Sequence, residues 1–190
     1  MKKQTIAERC LCLSLSFVLA LSLVACSGSD SNEVSSEAPS TELSEAQKDD
    51  IKGIVYDIVP KALFVMRNGE SGQAAFIENS THVTENFRES VIESTRKRSV
   101  ALYNSLGSGY VTSTVFTSHP AVTITDFYDY YYENGTYSVT VRMLLTCTLQ
   151  KKEFGGAWRE GTPYQETSAY ECCVYWNEKG EFQIASLYSA

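Results

Sequence analysis

The residues of this chain that could carry chemistry gather in its second half. Asp126 stands in the run Ile124-Thr125-Asp126-Phe127-Tyr128. If it shares the face of Ile124 and Tyr128, it lies opposite Met143, with Tyr130 and Trp176 also expected on the inward side. A carboxylate held there is desolvated and its pKa raised, as a general base requires. A β-bulge over Thr125-Asp126-Phe127 has the opposite consequence, turning Asp126 outward and Phe127 inward. Tyr128, Tyr130, Tyr131, Tyr132 and Tyr137 lie within ten residues. Rings that also carry hydroxyls suit sugar stacking or a protein interface, and they equally serve as strand formers that stabilise a hairpin. Tyr131 and Tyr132, nearest the turn, are the two expected at the surface. Cys147 and Cys172 (or Cys173) fall on adjacent strands, so a Cys147–Cys172 bridge and two buried thiols both fit. A nucleophilic cysteine needs a neighbouring base, and neither His82 nor His119 has a reason to approach. No C-x-x-C and no histidine at metal spacing occurs, so no metal site is expected. Nothing matches a P-loop, a dinucleotide fingerprint, G-x-S-x-G or H-E-x-x-H, which leaves no cofactor and no catalytic class indicated.

Two helices and a sheet must position these residues. Leu43 to Asn68 is helical in pattern, with Ser44 and Gln47 as a capping box and Ile51, Ile54, Val55, Ile58, Ala62 and Val65 at helical spacing. Pro60 is expected to kink or split this helix. Residues 69–80 form a connection, and Thr81 to Leu106 a second helix with Val83, Phe87, Val91, Leu102 and Leu106 on its apolar side. Arg96-Lys97-Arg98 wraps that helix's solvated side. After Gly107 the period changes to two. From Tyr137 to Leu149 the odd positions are apolar and the even ones mostly polar, a strand with one buried face. Asn134-Gly135 just before it is a strong hairpin signal. Folding back there sets Tyr132 against Tyr137, Tyr130 against Val139, Tyr128 against Val141, Ile124 against Leu145 and Val122 against Cys147. Residues 151–164 make a long excursion, Tyr164 to Trp176 and Phe182 to Tyr188 are two further strands, and Val111 to Phe116 adds another. The fold class is α+β: N-terminal helices packed on a bent antiparallel sheet of four to five strands.

The chain has 190 residues, 43% hydrophobic and 21% charged, a composition that excludes collagen, coiled-coil and multi-pass membrane classes. A net charge of −7 argues against a nucleic-acid partner. Lys2, Lys3 and Arg9 precede the uncharged run Leu11 to Val24, which is too short to span roughly 30 Å of hydrocarbon comfortably and suits a cleaved export segment. Its end, Leu23-Val24-Ala25-Cys26 followed by Ser27-Gly28-Ser29, resembles the lipobox of bacterial lipoproteins. That resemblance implies cleavage after residue 25, acylation of Cys26 and a lipid bilayer as partner on the extracytoplasmic face of the cell membrane. Cys10 and Cys12 then leave with the signal, and Cys147, Cys172 and Cys173 remain. Residues 26–44 are rich in serine and acids with little apolar content, and read as a disordered tether. Residues 45–190 form a single domain.

The order of long helices followed by a bent antiparallel sheet resembles the cystatin-like roll of the nuclear-transport-factor family. The resemblance implies a concave sheet and helices that enclose a pocket, which in that superfamily is catalytic, ligand-binding or simply packed. Two functions are expected. The first is a membrane-anchored, non-catalytic binding or accessory role in the cell envelope, with an envelope protein or glycan as partner. The second is a small enzyme or ligand binder with Asp126, Tyr128, Tyr130, Met143 and Trp176 lining an apolar cavity.

Overall fold

The computed structural model of the chain describes residues 42–190 apart from Ser108 and Tyr110. The expected export segment, Cys26 and the expected tether up to residue 41 lie outside the described residues. Helix α1 (Glu45–Asn68) begins as its sequence dictates: the Ser44 hydroxyl accepts from the Gln47 amide at 3.2 Å, and the Gln47 side chain accepts from the Ser44 amide at 2.9 Å. It ends at Gly69, whose left-handed φ of 71° lets its amide close on the Val65 carbonyl. Pro60 does not split the helix. It removes only the donor that the Tyr56 carbonyl would otherwise accept from, and the buried stripe on either side of it keeps the helix continuous. Ile51, Val55, Ile58, Val59, Ala62 and Val65 form the buried stripe. Leu43, expected within the tether of residues 26–44, is instead buried in the core, because its apolar side chain precedes the helix cap at Ser44.

Residues 69–80 contain a 3₁₀ turn (Ser71–Gln73) and the short helix α2 (Ala75–Glu78). Helix α3 (Glu85–Leu106) is capped by the Thr84 hydroxyl and buries only Phe87, Val91 and Thr95. The Thr95 hydroxyl enters the core because it can donate to the Val91 carbonyl at 2.7 Å. The second half of α3 departs from expectation: Leu106 is exposed together with Val100 and Tyr103. Val83 is buried, but on the segment before the helix, where it bridges Ile184. Arg96 and Lys97 sit on the solvated side paired with Glu93. Arg98 instead reaches back to the Arg67 carbonyl and Ser113.

Six strands form one antiparallel sheet: β1 (Val111–Phe116), β2 (Ala121–Glu133), β3 (Thr136–Phe154), β4 (Trp158–Glu160), β5 (Tyr164–Asn177) and β6 (Phe182–Ser189). The strand beyond the expected four or five is β4, three residues inside the 151–164 excursion. β3 is the spine. One side of it carries β2 and then β1, the other carries β5 and then β4, and β6 lies outside β5. Val139, Val141, Met143, Leu145, Cys147 and Leu149 are buried on one face of β3, as alternation predicts, and meet Cys172, Val174 and Trp176 of β5 and Phe182 and Ile184 of β6. The helices pack on this concave face, so the class is α+β, with helices on a curled antiparallel sheet.

The Asn134-Gly135 hairpin forms with both residues at positive φ, 51° and 78°, the geometry of a type I′ turn. The expected pairing holds only next to the turn. Tyr132 faces Tyr137, but Tyr128 faces Thr140, Phe127 faces Val141, Ile124 faces Met143 and Val122 faces Leu145. Two bulges displace the register, one between Tyr128 and Tyr131 and one between Ile124 and Asp126. Asp129 occupies the first with φ 52°, a left-handed conformation that aspartate tolerates better than most side chains. Each extra residue reverses the facing of the strand beyond it. Ile124 and Val122 therefore regain the concave side, whereas the segment between the bulges is inverted.

Candidate functional site

The predicted pocket lies within that inverted segment. Asp126 is exposed, stands opposite Arg142 on the outer face, and its carboxylate accepts from its own neighbour's amide, Phe127, at 2.8 Å. Phe127 packs against the core in its place. Tyr128 is likewise turned outward, and Tyr130, inside the bulge, packs on the core margin. Met143 is fully buried. Trp176 is buried within an aromatic ladder that crosses four strands, with Tyr132, Tyr137, Trp176 and Phe182 opposite one another at centroid spacings of 4.5, 5.2 and 5.8 Å. This ladder lies at the hairpin end of the roll. The five expected pocket residues are thus not brought together around one cavity.

The bridge between Cys147 and Cys172 is not made. Cys172 is opposite Val141 and Cys147 opposite Glu166, a separation of six residues, about 20 Å along the strand. That is far beyond the reach of a disulfide, and all three cysteines are free thiols. Burial pushes every one of them above the usual thiol pKa, most strongly Cys172, so none is activated as a nucleophile. His119 stacks edge-on against Phe64, and His82 approaches the Phe182 carbonyl. Among the described residues no group of acids, cysteines and histidines could hold a metal ion.

The outer face of the sheet carries what the interior does not. β3 and β5 alternate without interruption across it, and the inverted part of β2 adds Asp126 and Tyr128. Three rows result: Tyr131, Ser138 and Tyr175; Tyr128, Thr140, Cys173 and Ser186; Asp126, Arg142, Glu171 and Tyr188. Arg142 joins the rows. Its Nε and one terminal nitrogen donate to the same Glu171 oxygen at 3.0 and 2.9 Å, and its guanidinium lies 4.5 Å from the Tyr128 ring centroid. Hydrogen bonds from Tyr128 and then Arg142 hold Glu171 below the ordinary carboxylate range. The same bond to Glu171 pushes the Tyr128 phenol up. Around this cluster Tyr131 is 60% exposed, Tyr188 45%, Tyr175 41% and Leu144 40%. Planar aromatic and guanidinium groups already held by partners lose little freedom when something docks on them, and tyrosine and arginine are enriched where binding energy concentrates.

No family model and no curated protein sequence matches the chain. Solved structures similar to it include the intermembrane space region of the chloroplast protein ARC6, at 8% identity over 78% of this chain and 97% of that one, with a TM-score of 0.37. The periplasmic domain of DotI is 15% identical over 72% and 92%, with a TM-score of 0.34. CagV, a VirB8 homologue of the T4SS from Helicobacter pylori, is 6% identical over 73% and 97%, with a TM-score of 0.31. Scores this low leave partner and activity to be argued from this chain's own residues. No helix among the described residues is long and apolar enough to cross a membrane.

Tyr175, Tyr188, Arg142 and Glu171 were not among the expected site residues. The signal for them lay in the even positions of β3, the odd positions of β5 and, for Tyr188, the end of β6. Val-Tyr-Trp and Ala-Tyr-Glu place tyrosines on both sides of β5, and only the register assigns each to a face.

Proposed function

We propose that this chain is a lipid-anchored, extracytoplasmic binding module that engages an envelope protein through the outer face of its sheet and performs no catalysis. The observation that carries this reading is the outer face, where, among the described residues, Tyr128, Tyr131, Tyr175 and Tyr188 surround the Arg142–Glu171 pair. A sheet that turned only a solvated surface outward would not concentrate tyrosines there. The interior supports the same reading: the acid that could have served as a base faces solvent. Anchoring is supported by the residues at 23–29, where an uncharged apolar run ends in small residues and a cysteine. Charge and the serine-rich segment agree with a domain held away from the bilayer by a polar spacer.

The test combines metabolic labelling with a fatty-acid analogue and crosslinked capture from intact cells. Wild type is expected to incorporate label and to capture one reproducible protein. Cys26→Ala is expected to lose the label. A Tyr131→Ala, Tyr175→Ala double variant is expected to keep the label and the melting temperature while losing the captured protein. An unlabelled wild type would end the anchoring claim, and undiminished capture by the double variant would end the claim about the face.

A further inference from the structure

At the end of the roll remote from the hairpin, the last turns of α1 stand off β1, β3 and β5 and leave a half-open cavity of about 300 Å³. That volume is at the lower limit of the 300–1,000 Å³ typical of ligand sites and admits a small molecule. Its floor is apolar, formed by Met66, Phe116 and Leu149. Two opposite charges also line it, Arg67 from the end of α1 and Glu166 from β5. They do not pair with each other. Among the described residues no side chain engages the Arg67 guanidinium, whose residue contributes only its main-chain carbonyl to Arg98. Glu166 receives only the Ser168 hydroxyl, at 3.5 Å. Both charges nevertheless act on the same enclosed groups. Burial raises the Cys147 thiol and the Tyr170 phenol, Glu166 adds to the rise, and Arg67 opposes it. The two charges therefore overlook one space.

We propose that this cavity binds a small zwitterion with an apolar body, the chemistry of a free apolar α-amino acid, its carboxylate on Arg67, its ammonium on Glu166 and its side chain on the Met66–Phe116–Leu149 floor. The charges select this class by exclusion. A fatty acid would pair with Arg67 but be repelled by Glu166, an organic cation would meet the reverse, and a neutral apolar molecule would leave both charges unsatisfied. The site lies on the concave side of the sheet, away from the tyrosine face, so either proposal can fail while the other stands.

Calorimetric titration of the detergent-solubilised full chain tests it, with L-phenylalanine, N-acetyl-L-phenylalanine, which lacks the cation, and L-phenylalaninamide, which lacks the carboxylate. L-Phenylalanine is expected to bind about tenfold more tightly than either analogue, the value of one charge-assisted contact at a half-open site. Arg67→Gln should bind the amino acid and its amide equally, and Glu166→Gln the amino acid and its N-acetyl form equally. Both variants should keep the wild-type melting temperature, because neither side chain is tied into the core. Absence of saturable binding at millimolar L-phenylalanine, equal binding of the three probes, or unchanged discrimination by the two variants would overturn the proposal.

Discussion

Met143→Ala should unfold this domain far more readily than Leu144→Ala, although the two residues are adjacent and of similar size. Met143 has no solvent exposure, points to the concave side and is flanked along its strand by Val141 and Leu145, both also fully buried. Ile124 of β2 and Tyr170 of β5 oppose it from either side. A side chain enclosed by two strands and the helices leaves a void that cannot close, so truncation is expected to cost about 3 kcal/mol. In a domain of this size that corresponds to a fall of roughly 6–12 °C in melting temperature. Leu144 is 40% exposed on the other face, and its truncation should remain below about 1 kcal/mol. Urea unfolding followed by circular dichroism gives both values with the slope as a check for two-state behaviour. If Met143→Ala cost less than about 1 kcal/mol, the interior at β3 would be an open pocket rather than a filled core, and the case against an interior active site would collapse.

Two glycines separate backbone strain from steric clash. Both have positive φ, but a methyl at Gly135 would meet open space, whereas one at Gly69 would come within 2.8 Å of the Ser99 amide nitrogen. Chemical denaturation should show Gly135→Ala losing about 1 kcal/mol and Gly69→Ala at least about 2 kcal/mol. Acid should weaken the outer-face cluster, because Glu171 is held below its unfolded value. The stability it contributes is fully present above the ordinary carboxylate pKa and disappears as pH falls through the lower folded value. Melting curves of Glu171→Gln against pH should lack that part of the acid dependence, and an unchanged profile would show that the cluster contributes nothing. Among the three cysteines of the folded part, maleimide followed by mass spectrometry should modify half-buried Cys173 first, then Cys147, and Cys172 only on unfolding; early labelling of Cys172 would contradict the assigned facing of β5.

Much of the fold was legible because its signals are local. The capping box at Ser44, the stop at Gly69, the alternation of β3 and the Asn134-Gly135 turn each rest on residues within a few positions of one another. The candidate site was legible in part: a bulge over Thr125-Asp126-Phe127, with Asp126 outward and Phe127 inward, was one of the two readings and matches the structure, whereas the bulge at Asp129 was not foreseen. A bulge adds a residue to one strand only, and each one changes which side chains face inward. Asp129 and the Thr125–Asp126 step carry two such insertions on β2, and their effects on facing cancel by Ile124. Both ends of the strand consequently face as simple alternation expects, while Asp126 and Tyr128 between them do not. Aspartate at 126 and 129 was the available hint, since it is a poor strand residue that favours irregular backbone. The missing disulfide has a related origin. Adjacent strands were correctly inferred for Cys147 and Cys172, but their offset along the ladder depends on a turn at 155–163 that alternation does not specify. The exposed half of α3 escaped because helical spacing defines a face without revealing whether a sheet extends far enough to cover it.

Photocrosslinking in intact cells provides the decisive comparison between the two surfaces of this domain. Benzoylphenylalanine would replace Tyr175, 41% exposed on the outer sheet face, or Tyr56, 48% exposed on α1. Matched exposure removes accessibility as an explanation for any difference. A discrete protein adduct from position 175 and none from position 56 is the expected result. An adduct from position 56 alone, or from neither, would mean that the tyrosine face is not where this protein meets its partner.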